Sequence, residues 1–499
     1  MKILGISAGF HDAAVSVIDN GEILFAGHAE RYSKIKNDAH INNALVADAL
    51  QHSDPELVAY YERPWIKKLQ QLQSGQYHEA FDFKNFTLDQ YMRKHISDPV
   101  YQRHLVRCPR RYMSHHLSHA AAGFQTSPYD RATVVVIDAI GELDTITIWG
   151  AEYENGRAIY KKLWGQRYPH SIGLFYSAMT DRVGLKSGEE EYIMMGMSAY
   201  GVQGLGDLLK YRLVNDEHKI TFKQNLHIGV EPDFMDHAEN EDIAAMSQDL
   251  AENLIYNVMQ RARDFRWSTN LVYMGGVALN CLANRNLGKY FENIWIMPNP
   301  GDAGSSLGAA ALAYGGRLDW HSAFLGHDID GHYPVNDILD RLLTDRIVGV
   351  ASGRAEFGPR ALGNRSLLAD PRGDKIKDLV NEIKRRQQFR PFAPVIMEEY
   401  ADEYFDIPPG WCDTRYMQVI GRCRRPDLFP AITHHDGTSR IQTVPADGSG
   451  IRQLLEAWYA RTKCPLLLNT SLNIRGEPMV NDRSDADRFE HLYGVKVFS

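Results

Sequence analysis

With 499 residues, 44% of them hydrophobic and 24% charged, the chain is long enough for roughly two to four domains and ordinary in composition for a globular enzyme. A net charge of −8 removes the global positive field that would gather nucleic acid or an acidic membrane. No apolar run is long enough for a membrane span, and the five cysteines (Cys108, Cys281, Cys412, Cys423, Cys464) form no C-x-x-C pair, which suits free thiols in a reducing compartment. The expectation is a cytoplasmic protein without a signal peptide, because the chain enters a strand-like segment at once.

That segment, residues 2–7, is followed by the polar turn Gly9-Phe10-His11-Asp12-Ala13-Ala14 and a second strand over 14–18. Asn20-Gly21 supplies the positive φ angles of a two-residue hairpin, and 22–28 is the third strand. Helical runs follow at 44–51 and 64–72, whereas the aromatic-rich stretch 77–92 fits no element and reads as an insertion. Residues 114–123, alanine-rich and free of β-branched side chains, form a helix that carries His115 and His119 one turn apart. Imidazoles at i and i+4 leave one face and can grip one metal ion; the competing reading is two packed or capping histidines. Asp138, after the apolar run Val134-Val135-Val136-Ile137, and Asp302, in Pro300-Gly301-Asp302-Ala303-Gly304, are the carboxylates best placed to complete such a site.

The strand at 133–137, the polar turn 138–142, the strand 145–149, the Asn155-Gly156 turn and the strand 157–164 repeat the order met at the start of the chain. Two such meanders, each followed by helices, resemble the duplicated ribonuclease-H-like halves of the actin and sugar-kinase superfamily. A helix over 241–265 buries Ile243, Met246, Leu250, Leu254 and Val258 as one stripe. After a strand at 271–274, Gly275-Gly276 opens a helix through Asn280, where backbone N–H groups can meet an anion unless the glycines serve only close packing. A second glycine-rich turn, containing Asp302 and Gly304, precedes a helix over 308–314. Residues 315–345 read as a linker and the first elements of a new domain. From 354 to 390 there are ten Lys or Arg against five Asp or Glu, and the arginines sit among Gly and Pro. Guanidinium groups held in such turns suit phosphate oxygens, with the amide and hydroxyls of Asn469-Thr470-Ser471 to complete the pocket. Nucleic acid is the competing anion, but the aromatic interleaving of a single-strand platform is weak.

At this point the chain resembles the NodU/CmcH-type O-carbamoyltransferases, which act on Nod factors, cephalosporin precursors and the aminoglycoside tobramycin. The matching stretches are the Gly9–Ala14 turn, the His115 helix, Gly275 to Asn280, Gly301-Asp302-Ala303-Gly304, Phe357 to Arg365, Arg390 to Pro394, Asp436 to Gln442 and Asn469 to Asn473. The resemblance implies an α/β protein with an N-terminal actin-like domain over 1–325 and a C-terminal YrdC-like twisted-sheet domain over 340–499. It implies that carbamoyl phosphate and ATP form carbamoyl-adenylate in the second domain, and that the first passes the carbamoyl group to a hydroxyl of a sugar, nucleoside or natural product. His115, His119, Asp138 and Asp302 would bind a divalent metal, iron(II) first, with zinc, manganese or magnesium as alternatives. His11 would be the general base; Gly275, Gly276, Asn280 and Gly304 would contact the adenylate. Arg360, Lys384, Arg390, Arg440, Asn469 and Ser471 would hold carbamoyl phosphate and ATP. Membrane association is not expected, nucleic acid is disfavoured as a partner, and a homodimer is compatible with the reading. The alternatives are transfer to tRNA of the threonylcarbamoyl type and an actin-like kinase or ATPase.

Overall fold

The computed structural model describes every residue except Asp82, residues 84–86, Asp374 and Cys412, and every described side chain except those of Gln73 and Glu79. The expectation for Cys412 lies outside the described residues, whereas Cys108, Cys281, Cys423 and Cys464 are free and buried. The chain forms two compact units. One comprises Met1–Ser33, Asn37–Asn280 and Lys289–Ser322; the other comprises Lys34–Lys36, Cys281–Gly288 and Ala323–Ser499.

The first unit contains two five-stranded sheets of the same design. In one, β1 (Lys2–Ser7), β2 (Ala14–Asp19) and β3 (Glu22–His28) form an antiparallel meander. β4 (Leu57–Tyr60) and β5 (Arg110–Tyr112) continue the sheet in parallel, in the order β3-β2-β1-β4-β5. In the other, β6 (Arg131–Gly141), β7 (Asp144–Glu154) and β8 (Arg157–Arg167) form the meander. A short ribbon, β9 (Val214–Asp216) with β10 (Thr221–Phe222), intervenes before β11 (Asn270–Met274) and β12 (Asn293–Trp295) extend the sheet as β12-β11-β6-β7-β8. The repeat read in the sequence is therefore a repeat of sheet topology. The central strands β1 and β6 are almost continuously apolar because both of their faces are covered. The edge strand β8 alternates exposed with half-buried residues and carries Lys161 and Lys162, which discourage further pairing.

Three local expectations are corrected. The polar turn at 138–142 is shorter, because β6 continues to Gly141: pairing passes from Ile137 opposite Ile146 to Gly141 opposite Asp144, and the residues between bulge out. The helix expected from Gly275 is only a 3-10 turn, Gly276–Leu279, followed by the four-residue helix Cys281–Asn284. The stretch 77–92 contains the helix Tyr77–Phe81 and the start of Leu88–His95, the latter closed by a Thr87–Gln90 capping box.

In the second unit, β13 (Phe324–Ile329) pairs with β15 (Gly353–Glu356). A mixed six-stranded sheet contains β14 (Ile347–Ala351), β16 (Arg365–Ala369), β17 (Ala393–Met397), β21 (Gln442–Val444), β22 (Leu466–Ser471) and β23 (Val497–Phe498), in the order β21-β17-β22-β16-β14-β23. A smaller sheet joins β18 (Phe405–Asp406), β19 (Ile420–Cys423) and β20 (Thr438–Arg440). Val348, Leu367, Leu467 and the helix residues Leu454 and Trp458 belong to one apolar core. Among the described residues, no helix is long and apolar enough to cross a membrane.

Candidate functional site

The helix His115–Thr126 is buried along nearly its whole length in the first unit, with Ser114 at its N-terminus. His115 and His119 point from it towards the bulge of β6, which carries Asp138, and towards the 3-10 turn Asp302–Gly304. Nε2 of His115 lies 3.3 Å from Asp138 Oδ2 and 3.2 Å from Asp302 Oδ1, and Nε2 of His119 repeats both distances. The two Nε2 atoms are 3.2 Å apart. A point equidistant from atoms so spaced lies roughly 2.0 to 2.5 Å from each, the range of bonds from a divalent ion to nitrogen or carboxylate oxygen.

His119 Nδ1 is 3.1 Å from the carbonyl of Pro300, which can only accept, so Nδ1 carries a proton and Nε2 is the nitrogen turned towards the cluster. Two imidazole nitrogens and two carboxylate oxygens thus converge in a buried space, and positive charge makes that arrangement favourable, whether as protons on the imidazoles or as a metal ion in their place. Charge points the same way. Burial works against charging His115, yet Asp302 and Asp138 hold it well above its ordinary range. Burial likewise works against an ionised Asp138, and the two histidines overcome it to hold the carboxylate well below its usual range.

Two glycines permit this approach. A Cβ on Gly141 would lie 2.3 Å from His116 Cδ2 and 2.6 Å from His115 Cδ2. Gly275 has φ +92°, and a Cβ there would meet the Ile137 carbonyl oxygen at 2.2 Å. The anion that the Gly275-Gly276 turn meets in the structure is the protein's own. Gly276 N–H donates to Asp138 Oδ1 at 3.2 Å, and Gly275 N–H donates to the Pro300 carbonyl at 2.9 Å. Asn280 exchanges two amide hydrogen bonds with Gln248 of the helix Asn240–Asp264, at 3.0 and 3.1 Å. Gly304 gives its N–H to Gly301. His11 is about a third exposed, with Nδ1 3.1 Å from Asp12 Oδ2.

Sequence reasoning missed several supporting residues. Glu62, two residues beyond the end of β4 at Tyr60, approaches His115 Nδ1, and His116 pairs with Thr147 at 2.9 Å. The available signal for Glu62 was the one that found Asp138: an acidic residue at the end of an apolar run.

In the second unit, Lys384 and Ser471 are brought together. Lys384 Nζ donates to oxygens of Ser471 and Asn473, and burial, with Arg386 and Arg390 nearby, pushes its pKa well below the usual lysine range. Asn469 donates to Gln442 at 2.7 Å and to the Ala361 carbonyl at 3.1 Å, tying β22 to the loop that bears Arg360. Arg440 Nε is buried without a hydrogen-bond partner among the described residues. Not every arginine of the basic stretch is free for a ligand. Arg365, fully buried, donates to the carbonyls of Ser352, Gly353, Asn364, His327 and Asn481, and Arg386 bonds Asn381 and Pro391. Neither of these two was among the arginines assigned to the pocket, and both are taken up by the protein itself, Arg365 by backbone carbonyls and Arg386 by the Asn381 side chain and the Pro391 carbonyl.

An α/β enzyme with a buried His/Asp cluster is the class these features define, and comparison with known proteins narrows it. The family model described as the carbamoyltransferase N-terminus matches residues 2–311, and that of the carbamoyltransferase C-terminus matches residues 339–497. The protein sll1178 of Synechocystis sp. is 30% identical over 97% of this chain and 93% of its own length. Nodulation protein NolO of Bradyrhizobium diazoefficiens is 32% identical over 75% of each chain, and nodulation protein U of Rhizobium tropici is 27% identical over 99% of this chain and 95% of its own. Among solved structures, HypF of T. kodakarensis gives a TM-score of 0.37 at 14% identity, covering 63% of this chain and 47% of that one. Component A of the Acidaminococcus fermentans (R)-2-hydroxyglutaryl-CoA dehydratase gives 0.34 at 15%, covering 63% and 98%. The chain belongs to the carbamoyltransferase family and is a transferase.

Proposed function

We propose that the chain is an ATP-dependent O-carbamoyltransferase with an actin-like domain over residues 1–325 and a YrdC-like domain over 340–499. In the second domain, carbamoyl phosphate, ATP and one water give carbamoyl-adenylate, phosphate and pyrophosphate. Arg360, Lys384, Arg390, Arg440, Asn469 and Ser471 line that pocket. The unpartnered, buried Nε of Arg440 supports an anionic ligand there. In the first domain, the hydroxyl oxygen of a small-molecule acceptor bonds to the carbamoyl carbon, the carbon–oxygen bond to the phosphate breaks, and AMP leaves. His11 takes the hydroxyl proton. The backbone of Gly275, Gly276 and Gly304 and the side chain of Asn280 border the nucleotide.

His115, His119, Asp138 and Asp302 would hold a divalent ion, iron(II) in our reading, with zinc, manganese or magnesium as substitutes. When bound, that ion supplies positive charge against the phosphate and polarises the mixed anhydride. The role of the protein is to hold the four ligand atoms in place, keep them dry and orient His11. The observation that carries the proposal is the convergence of these four atoms within 4.8 Å of one another in a chain of this family.

The test is an incubation with ATP, with and without carbamoyl phosphate. Pyrophosphate is expected only with both, and ADP as the product would replace this reading with a kinase or ATPase. His115→Ala is expected to keep pyrophosphate release while losing carbamoyl transfer to an acceptor by at least about 100-fold.

A further inference from the structure

β4 ends at Tyr60, and Tyr61, Glu62 and Arg63 then lead into the helix Pro64–Gln73. Glu62 Oε2 lies 3.6 Å from His115 Nδ1. Both atoms are buried, and neither has a hydrogen-bond partner among the described residues. The gap is too narrow for a water to lie in line between them, since each contact to it would need about 2.8 Å. Two orphaned polar atoms facing each other in a dry interior are costly unless they pair, and an approach of about 0.7 Å makes them a charge-assisted hydrogen bond.

We propose that Glu62 is a positioning residue of the metal centre: its carboxylate accepts the Nδ1–H of His115 and so aims the Nε2 lone pair at the ion shared with His119, Asp138 and Asp302. The inference rests on the reading of those four residues as metal ligands. Its own support is separate. The chain is pinned on both sides of Glu62. The Tyr61 carbonyl accepts a hydrogen bond from Ser118 Oγ at 3.0 Å, and Ser118 belongs to the histidine helix itself. The Arg63 N–H donates to Glu142 Oε1 at 2.7 Å, and the Arg63 guanidinium grips the same carboxylate. Glu62 is thus fixed relative to the helix and to the β6–β7 turn that follows Asp138. Tyr61 also packs on the His115 ring, at 4.9 Å between centroids.

The two histidines are then held unequally. His119 gives its Nδ1–H to a neutral carbonyl, whereas His115 faces a carboxylate. A carboxylate partner raises the basicity of the ligating nitrogen as well as fixing its tautomer, so His115 becomes the stronger ligand. On the far side, Lys67 Nζ stands 3.7 Å from the same Glu62 oxygen and 5.0 Å from the centre of the Phe10 ring, which itself lies 5.0 Å from the His11 ring. Lys67 thus supplies the counter-charge for Glu62 and links it to the turn that bears His11.

The test uses the full-length protein with zinc alone, measured by competition against a chromophoric chelator, and with cobalt(II), read by its visible spectrum. Wild type is expected to bind one ion, Glu62→Gln about 10-fold more weakly and Glu62→Ala about 100-fold more weakly, with altered cobalt bands in both variants. A role in packing alone would lower the melting temperature and leave affinity and spectrum unchanged, and that result overturns the proposal. Should Glu62→Ala fail to fold, the isosteric Glu62→Gln decides in the same way. Zinc binding lost in His119→Ala but intact in both Glu62 variants would sink this inference alone. Binding that survives His119→Ala would sink the metal reading beneath it.

Discussion

His11 is the residue whose state depends most on what lies among its neighbours. Burial works against protonating it, but the hydrogen bond to Asp12 and the charges of Asp302, Asp12 and Asp138 raise its pKa to about 9. With those carboxylates uncompensated, His11 keeps its proton at neutral pH and is no base. A cation between Asp138 and Asp302 cancels part of their field and lets the proton go. An NMR titration of the ion-free protein is expected to place the His11 midpoint near 9, and zinc is expected to move it down. A midpoint that zinc leaves in place would detach His11 from the centre. The folded protein binds this proton more tightly than the unfolded chain, so the contribution is full below pH about 6.5 and is lost as pH rises through about 9. The i, i+4 histidines were legible in the sequence because helical spacing alone sets their geometry. The meeting of Glu62 with His115 was not, because it depends on where β4 lies beside a helix more than fifty residues away.

Among the elements, the end of the loop from Phe357 to Asn364 gives its N–H groups to one buried side chain. Glu356 Oε1 accepts the N–H groups of Leu362, Asn364 and Arg365 at 2.8, 3.0 and 3.2 Å. Glu356→Ala leaves buried donors unpaired and is expected to destabilise the protein by at least about 2 kcal/mol, read by urea denaturation. Glu356→Gln, which keeps one acceptor oxygen, is expected to recover a good part of that loss. Composition revealed this loop as rich in arginine but could not sort its members. Arg365 braces five carbonyls, whereas Arg360 stays half-buried in the loop, and that difference arises only when strands distant in sequence are laid side by side. The bulge at Asp138 teaches the same lesson. A polar residue after an apolar run announces a functional strand end, yet the register of β6 against β7 decides how far it is lifted from the ladder.

In the whole molecule, the candidate metal ligands come from three segments of the first unit. Any ion bound there closes long loops of chain and binds only the folded form. Zinc at about 100 times its Kd is therefore expected to stabilise the unfolding transition of this unit by about 2.7 kcal/mol, seen by calorimetry of the full chain and reversed by chelator. Asp302→Ala is expected to remove the effect; a zinc shift that survives it would place the ion elsewhere. The sequence by itself determined what short-range periodicity and motif spacing encode: the duplicated meanders, the apolar stripe of the helix Asn240–Asp264, the paired histidines and the family. Only the tertiary structure decided which side chains support the centre, which glycine N–H groups serve Asp138 and which arginines are structural. Each of those outcomes is a contact between segments far apart in the chain, and such contacts are fixed by packing and by the satisfaction of buried polar groups, neither of which a linear pattern records.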